Sequence, residues 1–284
     1  MVAQLNEQAG RFISQTFHYE IIVADDGSTN QATITANRQI NEWPCCRYFE
    51  RGFNAGRAVI RNFLAQQASC DWLLFLDSDM RIISDDFLQR YLNRPDDELV
   101  VDGGLYTDPD LWKSMPWSLR CRYESAANAS FAAEKRQLNP YHDFHTANFL
   151  VRRDVMLSHP FDERFRHYGY EDVLLGKQLR TSNIAIAHID NPVSFSHFES
   201  NDSFVRKTEE GLHTLHAFRE DLRGYSRLLT FVNGIHFSMV KRVISWWHSL
   251  FGGMERRLLC SRHPNLKVFK IYKLGYYLKL CNND

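Results

Sequence analysis

The chain has 284 residues, 44% apolar and 13% aromatic, enough to bury a full core, which excludes an intrinsically disordered protein. Its formal charge is zero, but from Arg219 onward 12 Lys/Arg stand against 4 Asp/Glu, so a tail of net +8 follows a body of −8. Six cysteines (Cys45, Cys46, Cys70, Cys121, Cys260, Cys281) show neither paired zinc spacing nor an extracellular disulfide framework, and with no secretory leader the expected setting is a reducing cytoplasm.

Residues Tyr19 to Ala24 form a β-branched run stopped by the turn formers Asp25-Asp26-Gly27-Ser28, which predicts a buried strand with carboxylates at its C-terminal end. A weaker strand follows at Cys46 to Phe49. Asn54-Ala55-Gly56 opens a helix to about Ser69, with Val59 and Phe63, and Ile60 and Leu64, at the i,i+4 spacing of an inward face. Trp72 to Leu76 predicts the next strand, which also ends in carboxylates, at Asp77 and Asp79. Further short strands are expected at Leu99 to Val101, His145 to Val151 and Ile184 to Ile189, with a polar helical insertion at Trp112 to Leu138 and a helix at Val173 to Arg180. This alternation implies an α/β fold with a mostly parallel sheet and helices on both faces, ligands binding beyond the carboxyl ends of the strands.

A nucleotide diphosphate is commonly met by Mg²⁺ or Mn²⁺ held by one or two carboxylates together with the phosphate oxygens. Asp77-Ser78-Asp79 offers such a pair, Asp79 toward the ion and Asp77 toward the ribose or a metal-bound water. Alone, D-x-D equally describes an Asp-rich turn. Aspartyl phosphatases and phosphotransferases also set D-x-D after an apolar strand, but they continue with Gly-Thr where Met80-Arg81 stand here. Glu171-Asp172 open the later helix after a glycine and aromatics. A carboxylate there can take the proton of an acceptor hydroxyl as it attacks an anomeric carbon; Asp172 is the candidate base, with Glu171 and Tyr170 on the acceptor side. The plain alternative is a pair of acids capping a helix N-terminus.

In series, YEIIVADDGS (19–28), NAGRAVIRN (54–62), LFLDSD (74–79), NFLVRR (148–153) and YGYED (168–172) resemble family 2 glycosyltransferases of the GT-A fold, over roughly residues 1 to 215. The resemblance implies a Rossmann-like nucleotide-diphospho-sugar transferase domain over 1–218, a nucleotide-sugar donor, and a saccharide or lipid-linked acceptor. It places Asp25 at the nucleotide base with Asp26 or Ser28 close by, and Arg57 and Arg61 near the donor nucleotide, surface helix arginines being the bland alternative. Asp79 becomes the chief metal ligand. Glu171-Asp172 resembles the acceptor-binding and base pair of inverting members, including chondroitin-polymerase-like enzymes, so inversion is expected. Some members add a histidine to the metal; His197 is the nearest candidate and His188 the alternative.

Members normally begin with a strand of the type V-S-V-I-I-P-x-Y-N and a helix before the D-D-G-S strand. Here that strand is absent, and residues 1–8 resemble the latter part of the helix. Its loss would leave ladder groups unpaired, so a complete relative is expected to carry about 20 to 25 more residues. A catalytically silent relative that binds a nucleotide sugar or an assembly partner is the second functional class.

The tail, 219–284, interleaves Trp246-Trp247, Phe251 and Tyr276-Tyr277 with Lys241-Arg242, Arg256-Arg257 and four later lysines. That suits a helical extension packed on the catalytic domain, or a helix lying peripherally on the cytoplasmic face of a membrane. Leu228 to Val240 is too short to span a bilayer, so no transmembrane helix is expected, and no recognition motif points to nucleic acid.

Overall fold

The computed structural model describes residues 1–12, 17–108 and 110–282. Helix α1 (Val2–Gly10) precedes β1 (Ile21–Asp26), α2 (Gln31–Arg38), β2 (Cys46–Arg51), α3 (Arg57–Gln67) and β3 (Trp72–Leu76). Next come β4 (Met80–Ile82), α4 (Phe87–Leu92), β5 (Val100–Asp102) and β6 (Leu105–Tyr106), and then three helices of the insertion, α5 (Leu111–Ser114), α6 (Leu119–Ala127) and α7 (Ala133–Arg136). The chain returns through β7 (Asn148–Arg152), α8 (Arg153–Ser158), α9 (Glu171–Thr181), β8 (Ala187–His188) and β9 (Val193–Phe195). It finishes in α10 (Asn201–Ala217), α11 (Arg227–Gly234), α12 (Ser238–Leu259) and α13 (Leu266–Asn282).

The α/β fold class is as expected, but the sheet is mixed instead of mostly parallel. β1/β2, β5/β8 and β6/β9 pair in parallel, whereas β7 runs antiparallel to both β3 and β5, and β4 antiparallel to β9. The reason lies in the insertion. The chain leaves β5 and β6, winds through α5 to α7, and enters β7 without a βαβ crossover, so the strand comes back reversed. Among the described residues strand order is β3-β7-β5-β8 in a four-stranded sheet and β4-β9-β6 in a three-stranded one, with β1-β2 as a two-stranded third.

Burial alternates along the wholly apolar β3, and both faces are covered. On one side Ala58 and Ala65 of α3 and Leu175 and Leu179 of α9 meet Phe75 and Phe149, whose rings stack at 4.9 Å. On the other, Phe87 and Tyr91 of α4 meet Val101 and Leu150, with Met1 and Leu5 of α1 alongside. Among the described residues β1 has only β2 as a ladder partner and β3 only β7, and all six residues of β1 are partly exposed. Both strands are therefore sheet edges among the described residues. Ile22 of β1 nevertheless packs on the core that holds α3 and β3, so that helix bridges the two sheets.

The C-terminal extension is helical and continuous with the domain. Phe269 and Tyr272 of α13 share a core with Leu119 of α6 and Phe204 of α10, and Tyr277 and Leu278 share another with Leu212 and Leu215.

Candidate active site

The D-D-G-S turn closes β1 against the loop that opens α3. Gly27 takes φ +81, and a Cβ there would lie 2.5 Å from the Phe53-Asn54 backbone, so this close approach needs glycine. Asp25 accepts from Ser28 N–H at 2.6 Å and from the Tyr48 hydroxyl at 3.3 Å. Burial pushes its carboxyl up, but these donors outweigh it and hold it below the usual carboxylate range. Asp26 accepts from Ala55 N–H at 3.1 Å and Gly56 N–H at 2.9 Å. Those bonds anchor the loop that opens α3 to the end of β1.

Arg61, 6% exposed on α3, joins the ends of two elements. Its Nη2 donates to Asp77 Oδ1 at 2.6 Å and its Nη1 to Glu171 Oε1 at 3.0 Å. The planar guanidinium serves each carboxylate from its own nitrogen, a fixed fork that the single nitrogen of an ammonium does not reproduce. With both amino groups bonded to carboxylates, Arg61 is a strut between β3 and α9. Burial raises the Asp77 carboxyl, but the charges of Arg61 and Arg57 overcome that and draw it below its ordinary value. Arg57 is the arginine left open. Its side chain is 42% exposed, 3.8 Å from Glu171 and 4.8 Å above the Tyr168 ring.

Helix α9 begins at Glu171, after Gly169 at φ +95 and Tyr170 at φ +71. Burial and the charge of Glu171 push the Asp172 carboxyl up; His145 and the Val173 N–H act the other way with less effect. Glu171 keeps one oxygen, Oε2, buried without a hydrogen-bond partner. Tyr170 packs against the cluster that holds Leu212 and Leu215 of α10. Tyr168, over Arg57, is the aromatic beside the arginines.

Past β3, the residue that follows β9 braces the backbone of the second aspartate of D-x-D. Ser196 gives its N–H at 2.9 Å and its hydroxyl at 2.8 Å to the Asp79 carbonyl. His197 is exposed, with Nδ1 2.9 Å from the same Ser196 oxygen. Nε2 is the ring nitrogen turned away from that contact. No cluster of three or more His, Cys, Asp and Glu side chains suited to an ion occurs among the described residues. Asp79 and His197 are two donors, a set that fits Mg²⁺ or Mn²⁺ sharing its remaining positions with phosphate oxygens and water. His188 does not fit. It is fully buried, accepting from Arg136 at Nδ1 (2.7 Å) and donating from Nε2 to the Pro140 carbonyl (3.0 Å), so neither nitrogen is free.

Three residues of this region escaped the sequence reading. Arg120 of α6 is 9% exposed, bonds Glu199 at 2.9 Å, approaches Glu124 at 3.5 Å and lies 4.7 Å from the centre of the Phe195 ring. Burial pushes the Glu124 carboxyl up against the pull of Arg120 and His145. His145 carries a buried Nδ1 without a partner and is among the groups that act on both the Asp172 and the Glu124 carboxyls. The i,i+4 spacing of Arg120 and Glu124 was the available signal.

Residues 2–158 match the family described as Glycosyl transferase family 2. An "Uncharacterized glycosyltransferase" of Haemophilus influenzae (strain ATCC 51907 / DSM 11121 / KW20 / Rd) is 33% identical over 109 residues, 38% of this chain and 43% of that protein. The match therefore spans less than half of that relative's length. In fold the chain is similar to the mannosyltransferase PcManGT from Pyrobaculum calidifontis, solved in complex with GDP-Man and Mn²⁺, with a TM-score of 0.53 at 13% identity over 100% of this chain and 83% of that one. With more than half its length matched, and with the sheet, helices and strand-end carboxylates described above, the chain belongs to glycosyl transferase family 2 and has the GT-A fold.

Proposed function

We propose that the chain transfers a glycosyl group, with inversion, from a nucleoside-diphosphate sugar to a hydroxyl of a saccharide or lipid-linked acceptor. Arg61 carries this assignment: one buried cation holds the D-x-D strand end against the start of α9, with Asp172 next to it. A carboxyl pushed up by burial is the better proton acceptor near neutral pH. In direct displacement the acceptor hydroxyl loses its proton to Asp172 as its oxygen attacks the anomeric carbon opposite the leaving diphosphate. Arg57 and Arg120 favour the negative charge that develops on that leaving group. Mn²⁺ or Mg²⁺, held by Asp79 and His197, would supply further positive charge to the diphosphate. Asp25 and Ser28 are assigned to the nucleotide at the end of β1. The donor and ion named for PcManGT support the class of donor and leave the sugar open.

A thermal-shift screen of nucleotide sugars with Mn²⁺ identifies the donor, since a bound ligand raises stability by mass action. Asp172→Asn should keep that shift and lose about 10²- to 10⁴-fold in turnover. Full turnover in the variant would remove Asp172 from the role of base. The gap between β1 and β3 favours one other reading, a silent binder of nucleotide sugar. It is selected by a donor that shifts the melting temperature and is neither hydrolysed nor transferred.

A further inference from the structure

Helix α12 is amphipathic in the inverse sense to a soluble surface helix. Its buried face is Ser245, His248, Gly252, Glu255 and Leu259. Its outward face is Met239, Val243, Trp246, Leu250 and Met254, recurring at three- and four-residue steps and each between 57% and 75% exposed. Phe237, the residue before the helix, is 76% exposed. A contiguous apolar stripe of this length facing water marks a surface that something covers.

The charges say what. The helix has one carboxylate, Glu255, and it is buried and bonded to His248 at 3.0 Å and Trp247 at 3.2 Å. Arg242 and Arg257, both exposed, stand toward the two ends of the stripe, and Lys267 and Lys270 are exposed on the neighbouring α13. A second copy seated on the stripe by a two-fold axis would bring these cations together with no exposed carboxylate of α12 to answer them. Anionic lipid answers them directly. We infer that α12 lies flat in the surface of an anionic bilayer, its stripe among the acyl chains and its arginines at the headgroups. Its 22 residues extend about 33 Å along that surface. Among the described residues no helix is long and apolar enough to cross a membrane, so the contact is peripheral.

The test does not depend on the transfer reaction. The full chain is sedimented with vesicles of phosphatidylcholine alone and of phosphatidylcholine with about one-third phosphatidylglycerol, at about 0.1 M and about 0.5 M salt. Association is expected with the anionic vesicles and should weaken several-fold at the higher salt. Trp246→Glu with Leu250→Glu should lower the partition about tenfold or more, while Arg242→Gln with Arg257→Gln should lower it less and on anionic vesicles alone. No association with either vesicle overturns the inference. So does an unchanged partition in both double variants, or a parent dimer in light scattering that the glutamates convert to monomer. Should the glutamate variant not fold, an unchanged anionic partition in the arginine variant overturns it by itself.

Discussion

Arg61 holds two carboxylates that sit 16 and 110 residues away in sequence, and at 7% side-chain exposure it does so largely out of water. Arg61→Ala would strand Glu171, whose second oxygen already has no partner, and Asp77 beside it. We expect a loss of about 3 to 5 kcal/mol in urea unfolding, with Arg61→Lys recovering only part because a single ammonium nitrogen does not reproduce the two separate nitrogens of the guanidinium fork. An unchanged unfolding midpoint in the alanine variant would refute the strut. Asp172 leads to a statement about pH. Its carboxyl is raised and works as a base only when ionised, so kcat/KM should climb with pH along a limb displaced above the ordinary aspartate value of about 4. In Asp172→Asn that limb should vanish. Asp25, Asp77, Asp79, Glu171 and Asp172 were legible because each follows an apolar run or opens a helical one. Arg120, Glu124 and His145 were not, because they come from or adjoin the polar insertion, where no hydrophobic period says which side faces the cleft. The strut role of Arg61 was equally hidden: a helix position does not reveal a partner on the far side of the fold.

Among the elements, β3 was readable to the residue at Trp72–Leu76, since an uninterrupted apolar run meets turn formers at both ends. β4, β6 and β9 were missed because two or three residues carry no period. Helix α10 was missed although Ser200 caps it through Ser203 N–H at 3.2 Å, a signature visible in the sequence. The pairing of α12 with α13 rests on a close approach no pattern announces: a Cβ on Gly275 would come within 2.6 Å of His248 Cβ. Gly275→Ala should therefore destabilise the chain by about 1 to 3 kcal/mol despite a gain of about 1 kcal/mol in helix propensity. A thermal melt at or above that of the parent would show that the two helices move apart freely.

For the whole molecule, the α/β class and the acidic rim followed from alternating patterns, while strand direction did not. Nothing in residues 111 to 136 states on which rim the insertion releases the chain, and that rim decides that β7 runs antiparallel to β3 and β5. The charge division was legible throughout, and its basic end falls on the helices that carry the exposed stripe. The sheet gap has a measurable result. Native-state hydrogen exchange should show the amides of β1 opening well below the global unfolding free energy while those of β7, paired on both sides, exchange near it. Equal protection of β1 and β7 would contradict this.

Because, among the described residues, β1 and β2 form a strand ladder with each other alone and Ile22 rests on the core that holds α3, the end of the protein that bears Asp25 is a plate joined to the rest by helices and loops instead of by strands. The loop before α3 is latched to that plate through Asp26, and α3 also carries Arg61. Tilting the plate would thus lever the same helix that spaces Asp77 from Glu171, so grip on the nucleotide and the spacing of the reacting groups are mechanically one adjustment.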